Sequence, residues 1–240
     1  MVYGKSAVVG QTLLRAWREG KRFRVVCVDA RPLHEGRAMA RLLSAAGVPV
    51  TYALTAALPH VLGEVTLCLL GAHAVLGDGA VYSRVGTAVV GMAARERGVP
   101  VIVAAESIKF TERVALDSMV VNELAGEEEL FFDTLAPAAQ PDDKAASTTS
   151  KGGKPDGKSD GKAGAAAKGS KLSPSGAPDD GHEGQGVQYL MKDWRDKENL
   201  QVLNIMYDVL PAEYVDMIVT EHGALPPGCA PVVGRMNVGG

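Results

Sequence analysis

The chain has 240 residues, of which 46% are apolar, and a formal net charge of -3, which suits one sizeable globular domain. Aromatic residues make up only 5%, so there is neither a basic footprint nor a base-stacking platform, and nucleic acid is excluded as an expected partner. No apolar run approaches the roughly 18 residues of a membrane helix, and residues 1–10 carry no apolar core behind a basic start, so neither a membrane span nor a signal peptide is expected.

Residues 6–19 predict a helix with Val9, Leu13, Ala16 and Trp17 on one face, Ser6 as its cap and Gly20 as its stop. Gly4-Lys5-Ser6 resembles the end of a phosphate-binding loop. The required earlier glycine and preceding strand have no room in a chain that starts three residues before. A nucleotide site is therefore not expected, and the abrupt start predicts further sequence upstream. Residues 22–28 predict the first strand, residues 35–46 a helix, residues 50–54 a second strand and residues 56–62 a short helix.

Residues 65–106 predict a complete strand, loop, helix, strand unit. Apolar runs at 65–70 and 101–104 carry no polar alternation, which marks strands buried on both faces. Between them lie a polar, glycine-marked loop at 73–83 and a helix read from Val85, Val89, Met92 and Ala93. Residues 137–187 hold seven lysines interleaved with acids and no aromatic residue. They predict a disordered insertion within one domain, made of 1–136 and 188–240. Beyond it, an apolar strand is expected at 202–207, a turn at 208–211, a strand at 217–220 and a plain tail after 233. The alternation of strand and helix with short connections predicts an α/β fold with a doubly wound, mainly parallel sheet.

In such a sheet the polar residues at strand ends gather on one edge, where ligands bind. The candidates are Asp29 and Arg31, His73 and Asp78, Glu106 and Lys109, Asp208, Glu221 and His222. An acid, a base and a cation together could handle a phosphorylated sugar. Charged residues also leave the core at strand ends for purely structural reasons, and no nucleophile stands beside a base in a motif. Fold alone does not decide function, and the residues favour a binding or assembly role. Cys27, Cys68 and Cys229 are odd in number with no metal spacing, so neither a disulfide framework nor a metal site is expected and a reducing, cytoplasmic setting fits.

Five stretches in order, FRVVCVDARPLHEGR, LLGAHAVLGDGAVYSRVGT, VPVIVAAESIKFTERV, NEL and LNIMYDVLPAEYVDMIVTEHGALPP, resemble the C-terminal domain of the regulatory subunits of eukaryotic translation initiation factor 2B, nearest to the delta type. The resemblance implies a Rossmann-like domain without a cofactor. It also implies membership of a complex that exchanges guanine nucleotide on initiation factor 2 and senses phosphorylation of that factor's alpha subunit. The implied partners are the sibling subunits, beta foremost, with alpha, gamma and epsilon, and initiation factor 2; for the isolated chain both a monomer and a homodimer stay open. The resemblance places Leu203, Ile205 and Tyr207 at the subunit contact; from the residues alone the segment suits a core strand as well as an interface strand. Catalytic exchange belongs to the epsilon subunit.

The same fold serves sugar-phosphate isomerases, which use an aspartate after a Gly-Ala pair and a cysteine in a turn before a helix. The matching positions here are His73, after Gly71-Ala72, and Gly4. Neither supplies the carboxylate or the thiol, so the resemblance implies that isomerase chemistry is lost. A vestigial anion pocket near Arg31 and Gly36 is retained as an expectation. An isomerase-like enzyme and a free-standing small-molecule sensor are the alternatives.

Overall fold

The computed structural model describes residues 1–115, 122–131 and 194–238; the expected insertion lies outside the described residues. β1 (Val2–Tyr3) leads into α1 (Ala7–Arg18), β2 (Val25–Asp29), α2 (Gly36–Ala45), β3 (Val50–Leu54), a short α3 (Leu58–Val61) and β4 (Cys68–Gly71). A hairpin of β5 (Ala74–Val75) and β6 (Val81–Arg84) precedes α4 (Thr87–Glu96) and β7 (Val101–Ala104). The later part supplies β8 (Tyr207–Leu210), β9 (Met217–Thr220), β10 (Gly223–Leu225) and α5 (Ala230–Val238).

β1, β2 and β3 pair in parallel, as do β4, β7 and β9, and β10 closes the second set antiparallel to β9. The two sets join along β1 and β4. The Met1 amine donates to Leu67 O at 2.7 Å, and Leu69 N donates to Met1 O at 2.9 Å, which is the pattern of a parallel ladder. The strand order is therefore β3-β2-β1-β4-β7-β9-β10. The chain winds outward from β1 to one side, returns to the centre and winds outward to the other. This is the expected doubly wound sheet, with its switch point between β1 and β4.

Successive side chains of a strand point to opposite faces, and each face has its own core. Val2, Val25, Cys27 and Ala104 pack with Val9 and Leu14 of α1 and Met39 and Leu43 of α2. Tyr3, Val28, Cys68, Leu70, Val101 and Val103 pack with Leu58, Leu62, Val90, Ala94 and Leu210 on the other face. Helices cover both faces, which is why strands β4 and β7 are apolar without alternation. Among the described residues no helix is long and apolar enough to cross a membrane.

Several elements differ from the sequence expectation. β1 is a strand of two residues where none is predicted, and the strand expected at 22–28 is β2, starting at Val25. The expected polar loop 73–83 is mostly a hairpin; Val75 and Val81 are fully buried, and the Asp78 carboxylate accepts from Ala80 N at 3.0 Å to shape its turn. β5, β6 and β8 form an antiparallel sheet of their own. Helix α1 buries Val9, Gly10 and Leu14 instead of the stripe through Leu13 and Trp17. Helix α4 buries Thr87, Val90, Gly91 and Ala94, and leaves Val89 and Met92 exposed. The reason is steric: Gly91 lies against Leu210 so closely that a Cβ would come within 2.8 Å of both its methyl groups, so small residues and not large ones meet the sheet.

The strand expected at 202–207 lies at 207–210, pairing β8 with β6 from Arg84↔Tyr207 to Val81↔Leu210. The preceding residues run against 122–126 instead. Leu124 bridges Ile205, Ala125 N donates to Asn204 O and Met206 N donates to Glu123 O, both at 2.9 Å. The Asn122 side chain donates to Tyr207 O and accepts from Tyr207 N. The expected tail after 233 continues helix α5.

Leu210 is fully buried and joins β8 to α4. Leu210→Ala is expected to cost about 2–5 kcal/mol of stability, the range for a truncated core leucine, measured as a shift of the urea midpoint at unchanged slope.

Candidate functional site

The C-terminal ends of β1 and β4 open into a cavity of about 230 Å³ at the switch point. Its floor is Tyr3 to Ala7 and Leu70 to His73; Glu35, Ser83, Arg84, Thr87, Lys109 and Tyr207 complete the wall. Two close approaches shape it. Gly71 leaves no room for a Cβ beside Ser6, whose hydroxyl accepts from Val9 N at 3.4 Å and caps α1. Gly86 has a φ of 98° and likewise abuts Tyr3, whose hydroxyl donates to Val85 O. The central strand is thus fastened to the loop that starts α4.

The cations of the wall have acceptors of their own. Arg84 Nε and Nη2 donate to Glu35 Oε2 and Oε1 at 3.0 and 3.1 Å, a two-point pairing. Its guanidinium lies 4.9 Å from the centre of the Tyr207 ring. Tyr207 stacks on Tyr82 at 4.8 Å, and the His73 ring is 4.9 Å from Tyr207. Lys109 Nζ donates to Ala72 O and pairs with Glu106, both at 2.9 Å; the hydrogen bond from Lys109 holds the Glu106 carboxyl below its ordinary value. Lys5 is exposed at the rim.

A smaller cavity adjoins the first and shares Tyr3, Gly4, Glu35 and Arg84 with it. Asp29, Arg31 and Pro32 lie on this second cavity, together with Ile205. Asp29 is buried, accepting from Tyr52 OH at 2.9 Å and from Ala30 N at 3.0 Å.

The predicted site residues are therefore only partly together. His73 and Lys109 line the first cavity, Glu106 reaches it through Lys109, and Asp29 and Arg31 line the second. Asp78 lines neither, because it is spent on its own turn. Asp208 lines neither: it sits under α4, accepting from Gly86 N at 2.7 Å and Ala88 N at 3.0 Å. Glu221 accepts from the backbone and hydroxyl of Ser107, which hold its carboxyl down at about 2, and so ties β9 to the end of β7. Neighbouring His222 is half-exposed in the same turn. Tyr207, expected on a subunit contact, is buried in the cavity wall by its ring neighbours. Tyr3, Lys5, Ser6, Glu35 and Arg84 were not among the predicted site residues. Lys5 and Ser6 belong to the phosphate-loop-like Gly4-Lys5-Ser6 stretch, and the two-residue strand β1 before it, which leaves no periodic signal, sets them at the switch point.

Gly4 and His73 both line the first cavity. The thiols nearest in the sheet, Cys27 and Cys68, are buried, and burial pushes them up to about 11 and about 12, where a thiol is inert at neutral pH. Among the described residues no group of three or more His, Cys, Asp or Glu side chains could hold a metal ion.

A doubly wound domain with a polar cavity at its switch point, fastened by an added antiparallel sheet, is a Rossmann-like module. The sequence matches the Initiation factor 2 subunit family over residues 1–227, and the chain belongs to that family. It is 35% identical over 233 residues to translation initiation factor eIF2B subunit delta of Schizosaccharomyces pombe, covering 97% of this chain and 40% of that protein. It is 26% identical over 228 residues to ribose 1,5-bisphosphate isomerase of Thermococcus kodakarensis, covering 95% of this chain and 52% of that enzyme. The solved structure of translation initiation factor eIF-2B, subunit delta, from A. fulgidus shares the fold, with a TM-score of 0.65 at 23% identity, covering 98% of this chain and 56% of that one. The chain spans about half or less of the length of these relatives.

Burial is the leading cause that pushes the Asp208 carboxyl up from 3.8 to about 6, against two backbone amides that favour its charge. The folded state therefore holds a proton between pH 4 and 6 that the unfolded chain has released. This contribution to stability is present at low pH and is lost as pH rises through about 6. In Asp208→Asn that titration disappears. Urea unfolding from pH 4 to 7 is expected to show wild-type stability falling relative to the variant by on the order of 2 kcal/mol across that window and constant above it; parallel curves would contradict the assignment.

Proposed function

We propose that this domain is a non-catalytic regulatory part of the exchange factor for translation initiation factor 2, of the delta type. It assembles with sibling subunits, beta foremost, and takes part in sensing the phosphorylated alpha subunit of factor 2. The observation that carries the non-catalytic reading is the meeting of Gly4 and His73 in one cavity. These are the positions that resemblance matches to the isomerase cysteine and aspartate. Their convergence at the switch point supports the matching, and what they bring there is a hydrogen and an imidazole. The cysteines of the sheet are buried with raised thiols, so none substitutes for the missing nucleophile.

The assembly reading draws on the family and on an exposed apolar edge. Leu203 is 56% exposed and Leu124 is 71% exposed, and their segments are hydrogen-bonded to each other through the Leu124↔Ile205 bridge. Two large aliphatics on one ordered ribbon are a fitting nucleus for a subunit contact. Ile205 stands half-buried beside them, and Tyr207 supports the ribbon from within.

A pull-down with the chain from a eukaryotic lysate is expected to recover the sibling exchange-factor subunits, and a turnover assay on ribose phosphates is expected to show no product. Product formation would restore the enzyme alternative. Leu203→Asp is expected to weaken pairing with the beta subunit by about tenfold or more, the effect of a charge set into a contact core. The melting temperature of the isolated chain should be unchanged, because the side chain is exposed there; equal pairing by a folded variant removes Leu203 from the contact.

A further inference from the structure

We propose that Glu128, Phe131, Trp194 and Arg195 form a clasp that closes the outer end of the ribbon made by 122–126 and 203–207, and so presents Leu124 and Leu203 to a partner subunit as one surface. The presentation rests on the assembly reading; the clasp does not. The two sides of the ribbon are distant in the chain: the Asn204 side chain donates to Gly126 O at 2.8 Å across 78 residues. At its inner end the ribbon is held by the core, since Asn122 grips the backbone of buried Tyr207. Toward the outer end Leu124 and Leu203 are exposed. The bonds from Ala125 N to Asn204 O and from Met206 N to Glu123 O join the two sides there, and surface backbone bonds of this kind fray from an open end.

The clasp lies just beyond that end. Residues 127–130 turn as a short 3-10 helix, in which Glu129 N donates to Gly126 O at 3.1 Å. Arg195 Nη1 donates to Glu128 Oε1 at 2.6 Å across 67 residues. Its guanidinium lies 4.5 Å from the centre of the Trp194 ring, and that ring meets Phe131 at 6.4 Å with the planes 42° apart. One short turn, Trp194–Asp196, delivers both groups. The ion pair alone would hold little, because both of its side chains are about half exposed. Combined with the rings it holds more: Phe131 braces Trp194, Trp194 orients Arg195, and Arg195 meets the carboxylate, so each contact fixes the geometry for the next. Trp194 and Arg195 are positioning residues here, acting through the order of the ribbon.

The test is amide hydrogen exchange of the full chain followed by NMR, with affinity for the sibling beta subunit measured on the same samples. Unsubstituted chain, Trp194→Ala combined with Arg195→Gln, and the conservative Trp194→Phe are compared. In the double variant the Ala125 and Met206 amides are expected to exchange about tenfold or more faster. Ala105, whose amide donates to Val219 O at 3.0 Å in the main sheet, should keep its rate. Affinity for the beta subunit should fall about fivefold or more, because a frayed ribbon must be ordered on binding. Trp194→Phe keeps a ring for Phe131 and Arg195 and should retain both protection and affinity. Unchanged exchange at Ala125 and Met206 in the double variant overturns the clasp, and faster exchange with unchanged affinity overturns the presentation. An unsubstituted chain that does not bind the beta subunit removes the assembly reading, while exchange still decides the clasp. Should the double variant lose protection at Ala105 as well, salt decides on the unsubstituted chain: faster exchange at Ala125 relative to Ala105 as salt screens the ion pair supports the clasp, and no such change overturns it.

Discussion

Residues 1–3 hydrogen-bond to β2 on one side and to β4 on the other, so a two-residue strand carries the parallel ladder from one half of the sheet to the other. The switch point exists because these residues occupy the centre, and the cavity lies where it does because the chain must turn away from the sheet immediately afterwards, at Gly4 and Lys5. Tyr3 extends the same constraint sideways: its hydroxyl reaches Val85 O and fits against Gly86. The position of α4, the hairpin and the pairing ribbon are all referred back to β1 through that contact.

Around the cavity the dominant theme is internal neutralisation. Arg84 faces Glu35, Lys109 faces Glu106, and Ser107 satisfies Glu221. The Arg84–Glu35 and Ser107–Glu221 pairs each join two segments that the sheet brings to its edge, and Lys109, paired with Glu106 within its own turn, reaches across to Ala72 O.

How far the sequence could be read follows from the physics of each element. β4 and β7 stood out because a buried parallel strand is an unbroken apolar run of its own length. β1 did not, since two residues have no periodicity. The hairpin was hidden by Gly77, Asp78 and Gly79, which mark a turn correctly but drew the flanking short strands into one loop. The inner face of α4 was misread because Val89 and Met92 are its more apolar residues, while the approach of Leu210 selects Gly91 and Ala94 by size. Among site residues, His73, Lys109, Asp29 and Arg31 were marked by their place at strand ends. The Glu35–Arg84 pair was invisible, because no local spacing relates two residues on separate halves of the sheet.

The hold of Asn122 on Tyr207 has a bearing on how the molecule avoids sticking to itself. β8 lies at the margin of its three-stranded sheet, and a bare margin is a template for recruiting a foreign strand. With one carboxamide, Asn122 both donates to and accepts from the same residue's backbone, imitating a neighbouring strand at a single rung. The margin is thereby sealed where β8 begins. Deamidation at this position would remove the donor to Tyr207 O and weaken the seal at that rung without touching the core.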